Sequence, residues 1–63
     1  MNTALRKARE RAGKTQAEMA REAGISTVAY QLYEYGERSP SVDVALKLAR
    51  ALNSTVEELF GKG

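Results

Sequence analysis

Apolar residues along the chain recur at intervals of three and four, and glycine and proline cut the pattern into pieces of helical length. In the first piece, Thr3 to Ala12, the residues Leu5, Ala8 and Ala12 share one face, and Gly13 supplies a left-handed stop. The second begins after Thr15, where Thr15-Gln16-Ala17-Glu18 reads as a capping box: the threonine hydroxyl accepts from the N3 amide while Glu18 reaches back. Met19, Ala20 and Ala23 form its buried stripe, and Gly24 ends it. Ser26 caps a third helix that runs to about Tyr35, before Gly36. Pro40-Ser41 opens a fourth, on which Val42, Ala45, Leu48, Ala49 and Leu52 follow the i, i+3, i+4 rule. A short fifth helix has a capping box in either of two registers, Thr55 to Glu58 or Ser54 to Glu57. Leu59 and Phe60 close the core, and Gly61-Lys62-Gly63 is expected to fray. With no alternating strand pattern, repeat or linker, the expectation is all-α: five short helices in one bundle, a single domain over residues 1–63, with C-terminal helices within 42–60.

Composition narrows this picture. Of 27 hydrophobic residues among the 63, ten are alanine, so the core must come from helices crossing closely along small faces. A chain of this size sits near the lower limit for a core that folds unaided, which points to help from a partner subunit. There is no Cys and no His, which excludes a disulfide staple and the usual zinc ligands, and the scattered carboxylates offer no metal site. An enzyme is not expected, because the chain has no His base, no Cys nucleophile and no glycine-rich phosphate loop. Glu57 and Glu58, being adjacent, point to different faces. The uncharged stretch Gly24 to Tyr33 is too short to span a bilayer, and Arg6, Lys7 and Arg9 are not followed by the apolar run of a signal peptide. A soluble cytoplasmic protein without cofactor, metal or small-molecule ligand is the expectation.

Net charge is +2, unevenly spread. Arg6, Lys7, Arg9, Arg11 and Lys14 face a single acid, Glu10, in the first 14 residues, whereas Glu57 and Glu58 outweigh Lys62 at the other end. Either one face meets an anion or this is an ordinary charged surface.

The stretch 16–35 is the informative one. Two helices flank a turn centred on Gly24. Ala20 lies where a small side chain lets helices cross, and Met19, Ala23, Ile25, Tyr30 and Tyr33 face the angle between them. This spacing defines a helix-turn-helix, whose second helix is turned outward for a DNA major groove.

From Leu5 to Phe60 the chain also resembles the Cro/cI-type helix-turn-helix repressors, the xenobiotic response element (XRE) family. The resemblance is carried by Arg9 with Gly13, Thr15-Gln16, Met19-Ala20, Gly24-Ile25-Ser26, Tyr33-Glu34 with Gly36, Arg38-Ser39-Pro40-Ser41, Lys47-Leu48-Ala49, Leu52-Asn53 and Glu58-Leu59-Phe60. It implies a lambda-repressor-like five-helix bundle and a phosphate contact from Gln16 at the start of the second helix. It also implies a structural pair between Arg9 and Glu34, with Arg9 also within reach of a phosphate, and a backbone-gripping loop at Arg38 and Ser39. Lys14 joins the phosphate candidates, although Lys14 and Arg38 also read as plain surface cations. Tyr30 departs from the Ile or Val usual at that place; its hydroxyl either reaches a phosphate or its ring fills space among the alanines.

Base reading falls to the outward face of the third helix, to Ser26, Thr27, Val28, Gln31 and Leu32, with Tyr35 beside them. Gln31 suits an adenine edge, Thr27 suits either hydrogen-bonding partner, and Val28 and Leu32 suit thymine methyl groups. This face has no Arg or Lys, so the commonest guanine contact is missing. One such module buries only about 600–1,000 Å² on DNA. The resemblance therefore implies a homodimer on a pseudo-palindromic operator, joined near Asn53, Val56 and Phe60, with Leu59 in the core. The expectation is a double-stranded DNA-binding transcriptional regulator, a repressor. The alternative is a protein-interaction module on the same fold, an antitoxin or adaptor that offers Val28, Leu32 and Tyr35 to a protein partner.

Overall fold

The computed structural model describes residues 1–61, so the expected fraying at Lys62 and Gly63 lies outside the described residues. Five helices follow one another: α1 (Thr3–Arg11), α2 (Gln16–Ala23), α3 (Thr27–Tyr35), α4 (Val42–Ala51) and α5 (Val56–Phe60). No strand occurs among the described residues.

Local chemistry fixes both ends of nearly every helix. Each starts on a side-chain cap whose oxygen accepts from an amide three residues on: Asn2 from Leu5, Thr15 from Glu18, Ser26 from Ala29, Ser41 from Val44 and Thr55 from Glu58. The box at α2 is complete, with Thr15 N also donating to Glu18 Oε1 at 2.8 Å. At α5 Thr55 is the cap, and only half the box forms: the Glu58 carboxylate accepts from Ser54 Oγ at 2.7 Å, not from the Thr55 amide.

The helix ends repeat one device as well. After each of α1 to α4 a residue with positive φ (Gly13, Gly24, Gly36 and Asn53) turns the chain, and the next amide bonds back five residues. These return bonds are Lys14 to Arg9, Ile25 to Ala20, Glu37 to Leu32 and Ser54 to Ala49. Asn53, at φ 53°, thus occupies the place that glycine holds in the other three turns, and asparagine tolerates it best among the larger residues. Gly36 has a second reason to be glycine, because a Cβ there would lie 3.1 Å from the Met1 nitrogen.

The core comprises Leu5, Met19, Ala20, Ala23, Tyr30, Tyr33, Leu48, Ala49 and Leu59, with Ala8, Ile25, Val44, Ala51, Leu52, Val56 and Phe60 packed partly against it. α2 is the central strut, packed on both α3 and α4, while α1 closes the bundle against α5 and α3. Ala20 and Ala23 on α2 and Ala45 and Ala49 on α4 are the small faces that permit this. Two expected core positions are not in it. Ala12 is exposed, because α1 stops at Arg11 and the chain is already turning. Val42 is 74% exposed, because it lies in the first turn of α4 at the edge of the stripe that Ala45, Leu48 and Ala49 bury.

Asn2 joins three parts of the chain. Its Oδ1 caps α1, its Nδ2 donates to the Leu59 carbonyl at 2.9 Å, and its backbone amide donates to the Glu34 carbonyl at 2.8 Å. Urea unfolding provides the check on this arrangement. Leu48→Ala should lower stability by about 2–5 kcal/mol through the cavity it opens, and Asn2→Ala by about 1–2 kcal/mol through loss of a helix cap.

Candidate nucleic-acid interface

The helix-turn-helix is α2, the turn Gly24-Ile25-Ser26, and α3. Nothing in the turn is longer than the left-handed stop of one helix and the cap of the next, so the angle between α2 and α3 is set locally. Ile25 folds back half-buried onto the core. α3 is thereby sided. Tyr30, Tyr33 and Glu34 point inward, while Val28 is 65% exposed and Tyr35 45% exposed. Ser26 is exposed, and Thr27, Gln31 and Leu32 are half-buried. Glu34 is the one ionisable carboxylate of α3, and it is turned into the protein at 1% exposure, so the outward face carries no charge.

That buried carboxylate is the hub of the motif. Arg9 of α1 donates from Nε to Glu34 Oε2 at 2.7 Å and from a terminal nitrogen to Oε1 at 3.3 Å. Gln16 of α2 donates from Nε2 to Oε1 at 2.8 Å, and the Tyr30 hydroxyl donates to Oε2 at 2.7 Å. Burial pushes the Glu34 carboxyl up, but the donors from Arg9, Tyr30 and Gln16 outweigh it and hold the group below the ordinary carboxylate range. The Tyr30 phenol is pushed up, first by burial and then by its bond to the carboxylate. The hydrogen bond to Glu34 likewise raises Arg9.

These bonds reassign several side chains. Tyr30 is fully buried and its hydroxyl is committed to Glu34, so the expected phosphate contact from Tyr30 is not available. Arg9 directs its guanidinium to Glu34 and, at 2.8 Å, to the Lys14 carbonyl, and so braces α1 against α3 and the turn before α2. Gln16 and Gln31, expected separately at a phosphate and at a base, are bonded to each other, with Gln31 Nε2 donating to Gln16 Oε1 at 3.1 Å. Lys14 pairs at the surface with Glu22. Arg38 and Ser39 are exposed in the loop after α3. At the far end of the bundle Asn53 is exposed and closes the turn before α5, while Val56 and Phe60 are half-buried against the core. The Tyr30–Glu34 contact is open to sequence reasoning, since residues four apart on a helix meet. The Gln16–Gln31 contact has no such signal, because it depends on how α2 and α3 cross.

A short helical bundle with a sided helix held at a fixed angle to its predecessor is the architecture of a helix-turn-helix protein. The helix-turn-helix family matches residues 5–59, and the chain belongs to it, in its Cro/cI-type (XRE) branch. Similarity extends to the cryptic phage CTXphi transcriptional repressor RstR of Vibrio cholerae, 44% identical over 86% of this chain and 48% of that protein. The HTH-type transcriptional regulator ImmR of Bacillus subtilis is 38% identical over 92% of this chain and 46% of its own length. An uncharacterized HTH-type transcriptional regulator of Archaeoglobus fulgidus is 37% identical over 95% of this chain and 86% of its own. The chain thus spans about half the length of the two named bacterial relatives. No solved structure matches it at comparable strength.

The hub makes stability depend on pH in a definite way. The contribution of Glu34 is present above an ordinary carboxylate pKa of about 4.3 and is lost as pH falls through its lower folded value. Tyr30 is the reverse case: its contribution is complete below about pH 10 and is lost as pH rises through its raised folded value. Thermal melts should show a plateau between those limits. Glu34→Leu, which strands Arg9 and the Tyr30 hydroxyl, should cost about 3–5 kcal/mol. Replacing all three residues together (Arg9→Met, Tyr30→Phe, Glu34→Leu) should cost less than that single change and flatten the acid limb.

Proposed function

We propose that this chain is a sequence-specific double-stranded DNA-binding transcriptional regulator, acting as a repressor, with α3 in the major groove. The observation that carries the reading is the siding of α3. Its charge and its large aromatic rings at Tyr30 and Tyr33 are buried, and the uncharged residues Ser26, Thr27, Val28, Gln31 and Leu32 remain at or near the surface. The names of the relatives support the regulatory role, and RstR is named as a repressor.

On this reading affinity and specificity come from different parts of the surface. Arg38, Ser39, Lys14 and the exposed start of α2 beside Gln16 hold phosphates, while α3 supplies thymine-methyl contacts from Val28 and Leu32 and hydrogen bonds from Thr27 and Gln31. A single module of this size is modest for specific binding, so the regulator works as a homodimer through the end that carries Asn53, Val56 and Phe60. Two copies of α3 then lie about 34 Å apart on a pseudo-palindrome. No described helix is long and apolar enough to cross a membrane. The cytoplasm, where the DNA is, belongs to this proposal, as does the absence of catalysis.

A second reading has its own support. Val28 at 65% exposure and Tyr35 at 45%, with Leu32 between them, make an uncharged apolar strip that suits a protein partner. A Gln16→Ala, Thr27→Ala, Gln31→Ala triple variant separates the two readings: it abolishes DNA binding under the first and leaves a partner complex intact under the second.

Mobility-shift titrations against duplex DNA in rising salt test the main proposal. Binding should weaken log-linearly with salt, and Arg38→Ala should weaken all sequences alike and lower the slope by about 1. Absence of binding even at low salt would sink it.

A further inference from the structure

The side-chain amide of Gln31 is oriented from inside the protein. Gln16 stands between it and Glu34, donating from Nε2 to Glu34 Oε1 at 2.8 Å and accepting at Oε1 from Gln31 Nε2 at 3.1 Å. Oxygen and nitrogen of an amide have nearly the same shape, so steric fit alone would allow either orientation. Here the chemistry decides. An ionised carboxylate only accepts, so Gln16 must turn its NH2 group to Glu34 and its oxygen to Gln31. Gln31 must then turn its own NH2 group to Gln16. The reverse polarity would set the Gln16 oxygen against a carboxylate oxygen at hydrogen-bond distance. Gln31 Oε1 is left over: among the described residues it has no protein partner, yet it is not among the buried unpaired atoms.

We infer that Gln31 determines specificity through this free carbonyl, which accepts from an exocyclic base amino group in the major groove, adenine N6 or cytosine N4, and that Gln16 is the positioning residue that transmits the polarity from Glu34. The inference rests on the proposed insertion of α3 into DNA. An untethered glutamine offers a donor or an acceptor as the base requires. The tethered one presents an acceptor at Oε1, and therefore rejects guanine O6 and N7 and thymine O4 at that point, which are acceptors themselves.

The test uses duplexes selected by the wild-type chain from random DNA, with affinities then measured for wild type, Gln31→Met, Gln16→Met and the double variant. Methionine keeps the length of glutamine without the amide, and thermal melts confirm that each variant folds. Both single variants should lose the preference at one and the same base pair, worth about 5–150-fold, and keep it elsewhere; the double variant should lose no more. Removing the amino group at that pair, with purine in place of adenine or 2-pyrimidinone in place of cytosine, should cost the wild type a similar factor and Gln31→Met nothing. Whichever analogue has this effect identifies the base. The inference is overturned if Gln16→Met weakens every sequence by one factor with all preferences intact, as loss of a phosphate contact does. It is equally overturned if neither amino deletion affects the wild type. A wild-type chain that binds no duplex at low salt removes the DNA reading along with it, whereas the other two failures leave that reading standing.

Discussion

The carboxylate of Glu34 is the one group on which α1, α2 and α3 all depend. An ionised carboxylate cannot be left unpaired in a protein interior, so it compels every donor around it to a fixed place. Arg9 comes from α1, Gln16 from α2, and Tyr30 from one turn earlier on α3 itself. With the Asn2 amide bonded to the Glu34 carbonyl, the same residue also anchors the start of α1 through its backbone. A helix arrangement that left this carboxylate short of its donors would bury an unpaired charge, so the network favours the arrangement in which Arg9, Gln16 and Tyr30 all reach it. The angle of the helix-turn-helix is therefore set twice, by the local turn at Gly24 and by the Glu34 hub.

The same economy shapes the outward face. The acid of α3 is consumed inside, and its outer surface has neither acid nor base. The cations of the described residues sit elsewhere, on α1, α2 and α4 and in the loops at Lys14 and Arg38, with Arg9 and Lys14 already paired. On the proposed DNA-binding reading, attraction to an anionic partner and discrimination among sequences are physically separate. The first would be long-ranged and screened by salt, and the second would rest on methyl contacts and oriented amides that act only at contact. An amide fixed by a buried charge discriminates more sharply than a free one, because it cannot adapt to the wrong base without breaking its own bonds.

Much of the fold is legible in the chain itself. The five helices, their order and their caps follow from residues that act over three or four positions, and Thr15, Ser26, Ser41, Gly13, Gly24 and Gly36 mark their ends. Asn53 stands out in the sequence only through the family resemblance, while its local duty is the left-handed stop after α4. Val42 and Ala12 escape the periodic logic, because periodicity says which side of a helix is apolar, not where along its length the neighbouring helix begins and ends. The pairing of Arg9 with Glu34 comes from resemblance, since no spacing rule joins residues 25 apart.

The amino-acid sequence by itself determined the all-α class, the boundaries of the helices and the sidedness of α3, because each of these is settled by neighbours within about one helical turn. Only the tertiary structure decided where the polar atoms of Arg9, Gln16, Tyr30 and Gln31 are directed. Whether a tyrosine hydroxyl meets a phosphate or a carboxylate, and which end of a glutamine faces outward, depends on three helices arriving at one point. The reason is physical: hydrogen bonds form between atoms less than about 3.5 Å apart, and only the crossing of α1, α2 and α3 brings these atoms that close.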